Sequence, residues 1–211
     1  ASIPEARKYL FNLYISSKNY KDALASLDSI PERDDTLNKA YQKVAYLYGI
    51  ELFNNKDISG AVEMFDKSNS QPIDKSVKAQ CFFWKAEGLY RISEFDSARS
   101  VYEEFLLLPG AFSLLYYNNA YYSIGYCYFK QKDYVSANKF FRKFTGNTEV
   151  IDKKMLNDAY LRTGDCYFIS KKYSDAAENY GKAIALNKLD IDYALFQKAL
   201  CLHAQGKYDL K

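Results

Sequence analysis

The amino-acid sequence predicts an all-α fold, an α-solenoid of stacked helix–turn–helix repeats, and three observations carry that prediction. The first is a self-match. Tyr121–Phe144 reads Y-Y-S-I-G-Y-C-Y-F-K-Q-K-D-Y-V-S-A-N-K-F-F-R-K-F, and Tyr160–Ala183 repeats its landmarks thirty-nine residues later: Gly125 becomes Gly164, Cys127 becomes Cys166, and Tyr128-Phe129 become Tyr167-Phe168. The second is apolar spacing. Tyr121, Ile124, Gly125, Tyr128 and Phe129 fall on one helical face, a polar Lys130-Gln131-Lys132-Asp133 break follows, and Tyr134, Ala137, Phe141 and Phe144 form a second stripe. The third is composition: four prolines and nine glycines in 211 residues favour helix, with aromatics at 17% including 21 tyrosines.

The alanine of each second helix serves as a ruler. Ala23, Ala61, Ala98, Ala137 and Ala176 are separated by 38, 37, 39 and 39 residues. The first repeat covers about residues 4–30, with Tyr14, Tyr20, Ala23 and Leu27 in pattern and Phe11 in place of the first-helix glycine. Pro31-Glu32-Arg33-Asp34-Asp35 is a polar stop. The second covers about 37–68, with Gly49, Phe53, Ala61 and Phe65 around an Asn54-Asn55-Lys56-Asp57 turn. The third, about 75–108, has Ala86 at the glycine position, with Gly88 two residues out of phase. Its end, Phe105-Leu106-Leu107-Leu108-Pro109-Gly110, is unusually apolar, which suits either packing beneath the next repeat or a partner-binding patch. The fourth and fifth cover about 118–145 and 157–186, and a truncated sixth covers 192–211 with Ala199 at the glycine position. A glycine inside a helix costs about 1 kcal/mol against alanine. Its recurrence therefore predicts that the two helices of a repeat approach closely there, with the small Ala137 serving the contact from the other side. The last repeat lacks its second helix, so the sequence reads as a fragment of a longer protein.

The pattern aromatic-x-x-apolar-Gly-x-x-Tyr, then Tyr-x-x-Ala-x-x-x-aromatic, resembles the tetratricopeptide repeat, most fully in the fourth and fifth units. That resemblance implies a right-handed superhelix whose first helices line a concave groove, where ligands of the family usually lie. Transferred onto this sequence, the partner-binding positions are Tyr46, Phe83, Trp84, Glu87, Tyr122, Tyr126, Arg162, Asp165 and Phe196. Most are aromatic, and Tyr, Trp and Arg are enriched among interface hot spots. Family members that grip a peptide's terminal carboxylate use Lys, Asn and Arg; here those places hold aromatics and aliphatics, which argues against such a ligand. The expected function is a non-catalytic interaction scaffold binding a protein or peptide. The alternative is a carbohydrate- or lipid-binding cell-envelope protein using the groove aromatics as stacking platforms. Tyrosine-rich units with long repeat steps are similar to bacterial cell-envelope members of the family, including periplasmic and outer-membrane-associated ones, whereas four unpaired cysteines point away from an oxidising compartment.

Other function classes find little support. Net charge is +3 with acids and bases interleaved, and no basic stripe suggests nucleic acid. No apolar run approaches the roughly 18 residues of a membrane-spanning helix. Cys81, Cys127, Cys166 and Cys201 form no C-x-x-C pair and read as small buried thiols, so neither metal nor cofactor is expected. The one histidine, His203, has no nucleophile or orienting carboxylate placed beside it in the sequence. Acid pairs such as Asp34-Asp35 and Glu103-Glu104 read as solvated faces. No nucleophile elbow, H-E-x-x-H or phosphate-binding glycine motif occurs, and a non-enzyme is expected.

Overall fold

Ten helices and no strand form among the described residues, 19–147 and 152–206, of the computed structural model. The expected first helix of the first repeat, with Phe11 and Tyr14, lies outside them, as do residues 207–211. The helices are α1 (Tyr20–Asp28), α2 (Asp35–Asn54), α3 (Ile58–Asn69), α4 (Lys75–Arg91), α5 (Phe95–Leu107), α6 (Asn119–Lys130), α7 (Tyr134–Thr145), α8 (Lys153–Ile169), α9 (Tyr173–Leu186) and α10 (Ile191–Ala204). They gather into two compact units divided between Leu114 and Leu115. In the first unit, α1 to α5 each pack on the next in sequence, and α2 also meets α4. In the second, α6 to α10 likewise pack in succession.

Each hairpin is closed by the same turn. Lys56, Ser93, Lys132 and Lys171 take left-handed backbone (φ 68°, 67°, 64° and 57°) immediately after a first helix. The following amides of Asp57, Glu94, Asp133 and Lys172 then reach back five residues, to the carbonyls of Leu52, Leu89, Tyr128 and Tyr167 at 2.9–3.0 Å. This is a Schellman turn whose last residue already begins the next helix. Aspartates cap five helices: Asp34 accepts from the Leu37 amide at 2.8 Å, and Asp57, Asp74, Asp133 and Asp152 do the same for α3, α4, α7 and α8. Each such cap contributes about 1 kcal/mol. Asp34, expected only as part of a solvated face, therefore has a structural role.

The glycine positions mark close approach, and the group that approaches is an aromatic ring. A Cβ added to Gly49, Gly125 or Gly164 would lie 2.6 Å from Phe65, 2.7 Å from Phe141 or 2.7 Å from Tyr180. The contact expected of Ala137 thus belongs to the ring four residues further on. Gly88, out of phase, faces the preceding hairpin instead, where its Cβ would meet Ile58 at 3.2 Å. The aromatic residues Phe65, Tyr102, Phe141 and Tyr180 are all fully buried, and burial of each contributes about 1.5–3 kcal/mol. At the end of α5, Phe105 is buried but Leu107 is 84% exposed.

In two of the four hairpins a buried amide ties the first helix to the loop that follows the hairpin. Gln42 on α2 donates to the Asp74 carbonyl at 3.0 Å and accepts from the Asp74 amide at 2.7 Å. Asn157 on α8 donates to the Leu189 carbonyl at 3.0 Å and accepts from the Lys188 amide at 3.1 Å. Both stand seven residues before a first-helix glycine, Gly49 and Gly164.

Candidate functional site

In the second unit, four of the proposed partner-binding residues belong to one polar network. Its centre is α8, whose Asp158, Arg162 and Asp165 lie at i, i+4 and i+7 and so share a face. Tyr122 and Tyr126 on α6 both donate to Asp158 Oδ2, Tyr122 at 2.9 Å. Arg162 Nε donates to Asp158 Oδ1 at 3.3 Å, and its Nη1 donates to Asp165 Oδ2 at 2.6 Å. Tyr180 on α9 and Tyr193 on α10 complete the set, donating to Asp165 Oδ1 at 2.8 and 2.7 Å. The residues Asp158 and Asp165 are 8% and 7% exposed, whereas Tyr122, Tyr126 and Arg162 are half-buried and keep an outer edge. Arg162 also lies over the Phe129 ring, 5.9 Å from its centroid.

The electrostatics follow from burial. Burial pushes the Tyr122, Tyr126 and Tyr180 hydroxyls well above the ordinary tyrosine value, and the adjoining carboxylates push further in the same direction. Tyr193 is raised to about 12 by burial and by its bond to Asp165. Burial opposes the Arg162 charge, but Asp158 and Asp165 together outweigh it and hold the guanidinium more firmly protonated than usual. Two carboxylates and one guanidinium therefore form a fixed charged array, with four hydroxyls oriented as donors.

The first unit carries a separate aromatic group. Tyr46 and Phe83 are only 8% and 6% exposed. Phe83 meets the rings of Tyr102 and Phe105, with centroids 5.8 and 5.4 Å away. Trp84 is half-buried, edge-on to Phe53 at 5.2 Å and to Phe83 at 5.6 Å. Glu87 accepts from the Tyr102 hydroxyl, and Arg91 caps the Phe53 ring at 4.0 Å. Phe196, the last candidate, lies on α10 and is 62% exposed. It belongs to neither group.

Sequence reasoning does not place Asp158, Tyr180 or Tyr193 at the site; Tyr180 is legible only as the aromatic landmark that matches Phe141, and Tyr193 only as the start of the sixth repeat. The i, i+4, i+7 charge spacing on α8 was available as a signal, but nothing in it distinguishes an inward stripe from a solvated one. The four cysteines are buried and outside any disulfide, and burial raises Cys81 and Cys166 to about 12. Among the described residues, no three His, Cys, Asp or Glu side chains gather as metal ligands, and no helix is long and apolar enough to cross a membrane.

Antiparallel hairpins of this length, closed by one repeated turn and keyed by a ring over a small residue, define a tetratricopeptide-type repeat fold. Residues 119–147, which make up α6 and α7, match the family model described as Tetratricopeptide repeat. No curated protein matches the chain in sequence. Among solved structures, the chain is similar to the MamA protein, with 19% identity and a TM-score of 0.64 over 80% of this chain and 84% of that one. It is also similar to YrrB, described as a TPR protein with an unusual peptide-binding site, with 19% identity and a TM-score of 0.61 over 98% of this chain and 92% of YrrB. The apo form of RapI gives 15% identity and a TM-score of 0.64 over 80% of this chain and 65% of RapI. At these identities the likeness establishes the fold.

Proposed function

We propose that the chain is a non-catalytic interaction scaffold that binds a peptide or partner protein on the first-helix face of its hairpins. The anchor is the Tyr122, Tyr126, Arg162 and Asp165 cluster of the second unit. One observation carries this reading: Asp158 holds two half-buried tyrosines and an arginine in fixed positions on one face. Rigid aromatic and arginine side chains that need no ordering on contact are the favoured anchors of protein interfaces. The fold agrees with it, and one structural neighbour is described as peptide-binding. The first unit offers Trp84 and Glu87 as a second patch. The glycan or lipid reading is the weaker, because the Trp84 ring is already committed to Phe53 and Phe83.

The test is selection of displayed peptides against the whole chain, counter-screened with Trp84→Ala/Tyr126→Ala and with Val135→Ala, an exposed change on α7. Circular dichroism first establishes that all three proteins are equally helical. Peptides kept by Val135→Ala and lost by the double variant support the reading. Peptides bound equally by all three place the binding surface elsewhere.

A further inference from the structure

Of the second helices among the described residues, α7 alone carries cations and no acid. Its Lys139, Arg142 and Lys143 lie at i, i+3 and i+4, all exposed on one side. The corresponding helices α3, α5 and α9 mix both signs and pair them: Lys67 meets Glu63 at 3.5 Å, Arg99 meets Asp96 at 3.0 Å and Lys182 meets Glu178 at 2.7 Å. Among the described residues, the three α7 cations make no ion pair of this kind. Exposed Lys130 and Lys132 in the preceding turn add to them, and the hairpin's one acid, Asp133, caps α7 through the Ser136 amide at 3.0 Å. The second unit as a whole shares the excess: residues 115–211 hold 15 Lys or Arg against 10 Asp or Glu, whereas residues 1–114 hold 14 against 16.

Rings rather than carboxylates hold these cations. Lys143 Nζ lies 5.0 Å from the centroid of Phe140 and 5.4 Å from that of Tyr121, and Phe140 stacks on Tyr128 at 5.6 Å. A ring attracts an ammonium without cancelling its charge, so Lys143 is positioned in advance and keeps its attraction for an anion. Arg142 lines a cleft of about 360 Å³ between α7 and α9, with Tyr160 and Tyr167 of α8 inside it. On the α9 side stand Asp175 and Glu178, the latter tied to Lys182. An anionic chain is therefore attracted along α7 and repelled at α9.

We propose that the outer face of α7 binds an acidic segment of a partner protein, extended along the helix with its carboxylates on Lys139, Arg142 and Lys143. The 12 residues of α7 span roughly 18 Å, the reach of about five or six extended residues. The recognised unit is thus a short stretch rich in Asp and Glu. A bilayer fits less well. Membrane-surface helices bury a broad apolar face in the lipid, whereas the apolar face of α7, with Ala137, Phe141 and Phe144, is already buried in the protein core. The surface uses no residue of the Tyr122/Arg162 cluster, so it adds a second kind of contact to the first-helix face.

The probe is a labelled peptide of alternating glutamate and serine, titrated into the intact chain by fluorescence anisotropy at low salt, where exposed charges are least screened. Saturable binding is expected. Arg142→Glu/Lys143→Glu should weaken it at least about tenfold, and Lys171→Glu/Lys172→Glu, the same charge change in the α8–α9 turn, by less than about twofold. All four positions are exposed, and far-UV circular dichroism checks that both variants fold. Absence of binding overturns the proposal, and so does equal weakening by the two variants, which would mean general attraction to a basic unit. Arg142-dependent sedimentation with vesicles of phosphatidylserine and phosphatidylcholine that the peptide cannot compete away also overturns it, giving the face to a membrane.

Discussion

Arg162 and Asp165 are joined by a 2.6 Å bond on α8, and the same guanidinium reaches back to Asp158, so one cation holds two buried carboxylates on one helix face. Removing one partner of a buried charged set leaves the others uncompensated, which costs roughly 3–5 kcal/mol when burial is complete. Arg162 keeps 22% of its side chain exposed, so Arg162→Met is expected to lose about 3 kcal/mol, read as a lower urea midpoint. Asp158→Asn and Asp165→Asn added to that background should recover much of the loss, because the neutral set no longer needs a cation. If the triple variant is no more stable than Arg162→Met, the network is not what Arg162 supports.

Two of the three glycines of the repeat core, Gly164 and Gly125, should not respond equally to alanine. At Gly164 the Tyr180 ring lies 2.7 Å from the added Cβ and is pinned through its hydroxyl to Asp165, so it cannot retreat. Overpacking typically costs 1–3 kcal/mol, against about 1 kcal/mol gained in helix propensity. Gly164→Ala should therefore lose about 1–2 kcal/mol, and Gly125→Ala, where the Phe141 ring has no such tether, should lose less. Gly181→Ala is the control of opposite sign. Its Cβ would meet only the flexible end of Lys198 at 3.4 Å, so thermal denaturation should show a gain of about 0.5–1 kcal/mol.

How the fold was legible follows from the same residues. A glycine, an alanine and an aromatic at fixed offsets report backbone approach, which sequence periodicity expresses directly. Polar breaks in the sequence place the hairpin turns but not their left-handed lysines, since Lys56, Lys132 and Lys171 carry no turn signature. The site was legible only as a face. Tyr122, Tyr126, Arg162 and Asp165 follow from their places on first helices. Their joining through Asp158 depends on which way α8 turns its charged stripe, and spacing alone does not say. Tyr46 and Phe83 hold equivalent places in the first unit, where the neighbouring rings close over them.

Alkaline pH should weaken the protein from above about pH 10. Tyrosines of the unfolded chain lose their proton near 10, whereas burial and Asp165 hold Tyr193 protonated to about 12, and Tyr122, Tyr126 and Tyr180 are shifted in the same direction. Between those values the unfolded state binds fewer protons, so stability is fully present below pH 10 and falls as pH rises toward 12. Denaturant midpoints measured from about pH 9 to about pH 11.5 should decline, with tyrosinate absorbance lagging until unfolding. Tyr193→Phe should flatten part of that decline. Unchanged midpoints across the range would mean that the hydroxyls ionise in the folded state.

Asn157 offers the sharpest test of how one hairpin is joined to the next. Its amide supplies a donor to the Leu189 carbonyl and an acceptor to the Lys188 amide, and the side chain is fully buried. Asn157→Ala leaves two loop backbone groups without their partner, at about 1–3 kcal/mol for each buried group left unsatisfied. Asn157→Asp should be no better, although it is nearly isosteric. A carboxylate cannot donate to Leu189, and it adds a buried charge beside Asp158. Asn157→Gln, which keeps both functions on a longer arm, should fall between, because Gln42 makes the same pair of bonds to Asp74 at the corresponding place in the first unit. Hydrogen exchange at the Lys188 amide reads the acceptor half directly: faster in Asn157→Ala, and nearer the parent rate in Asn157→Asp and Asn157→Gln, which both keep an oxygen for that amide. Equal protection in all four proteins would show that α9 and α10 hold the loop without the amide.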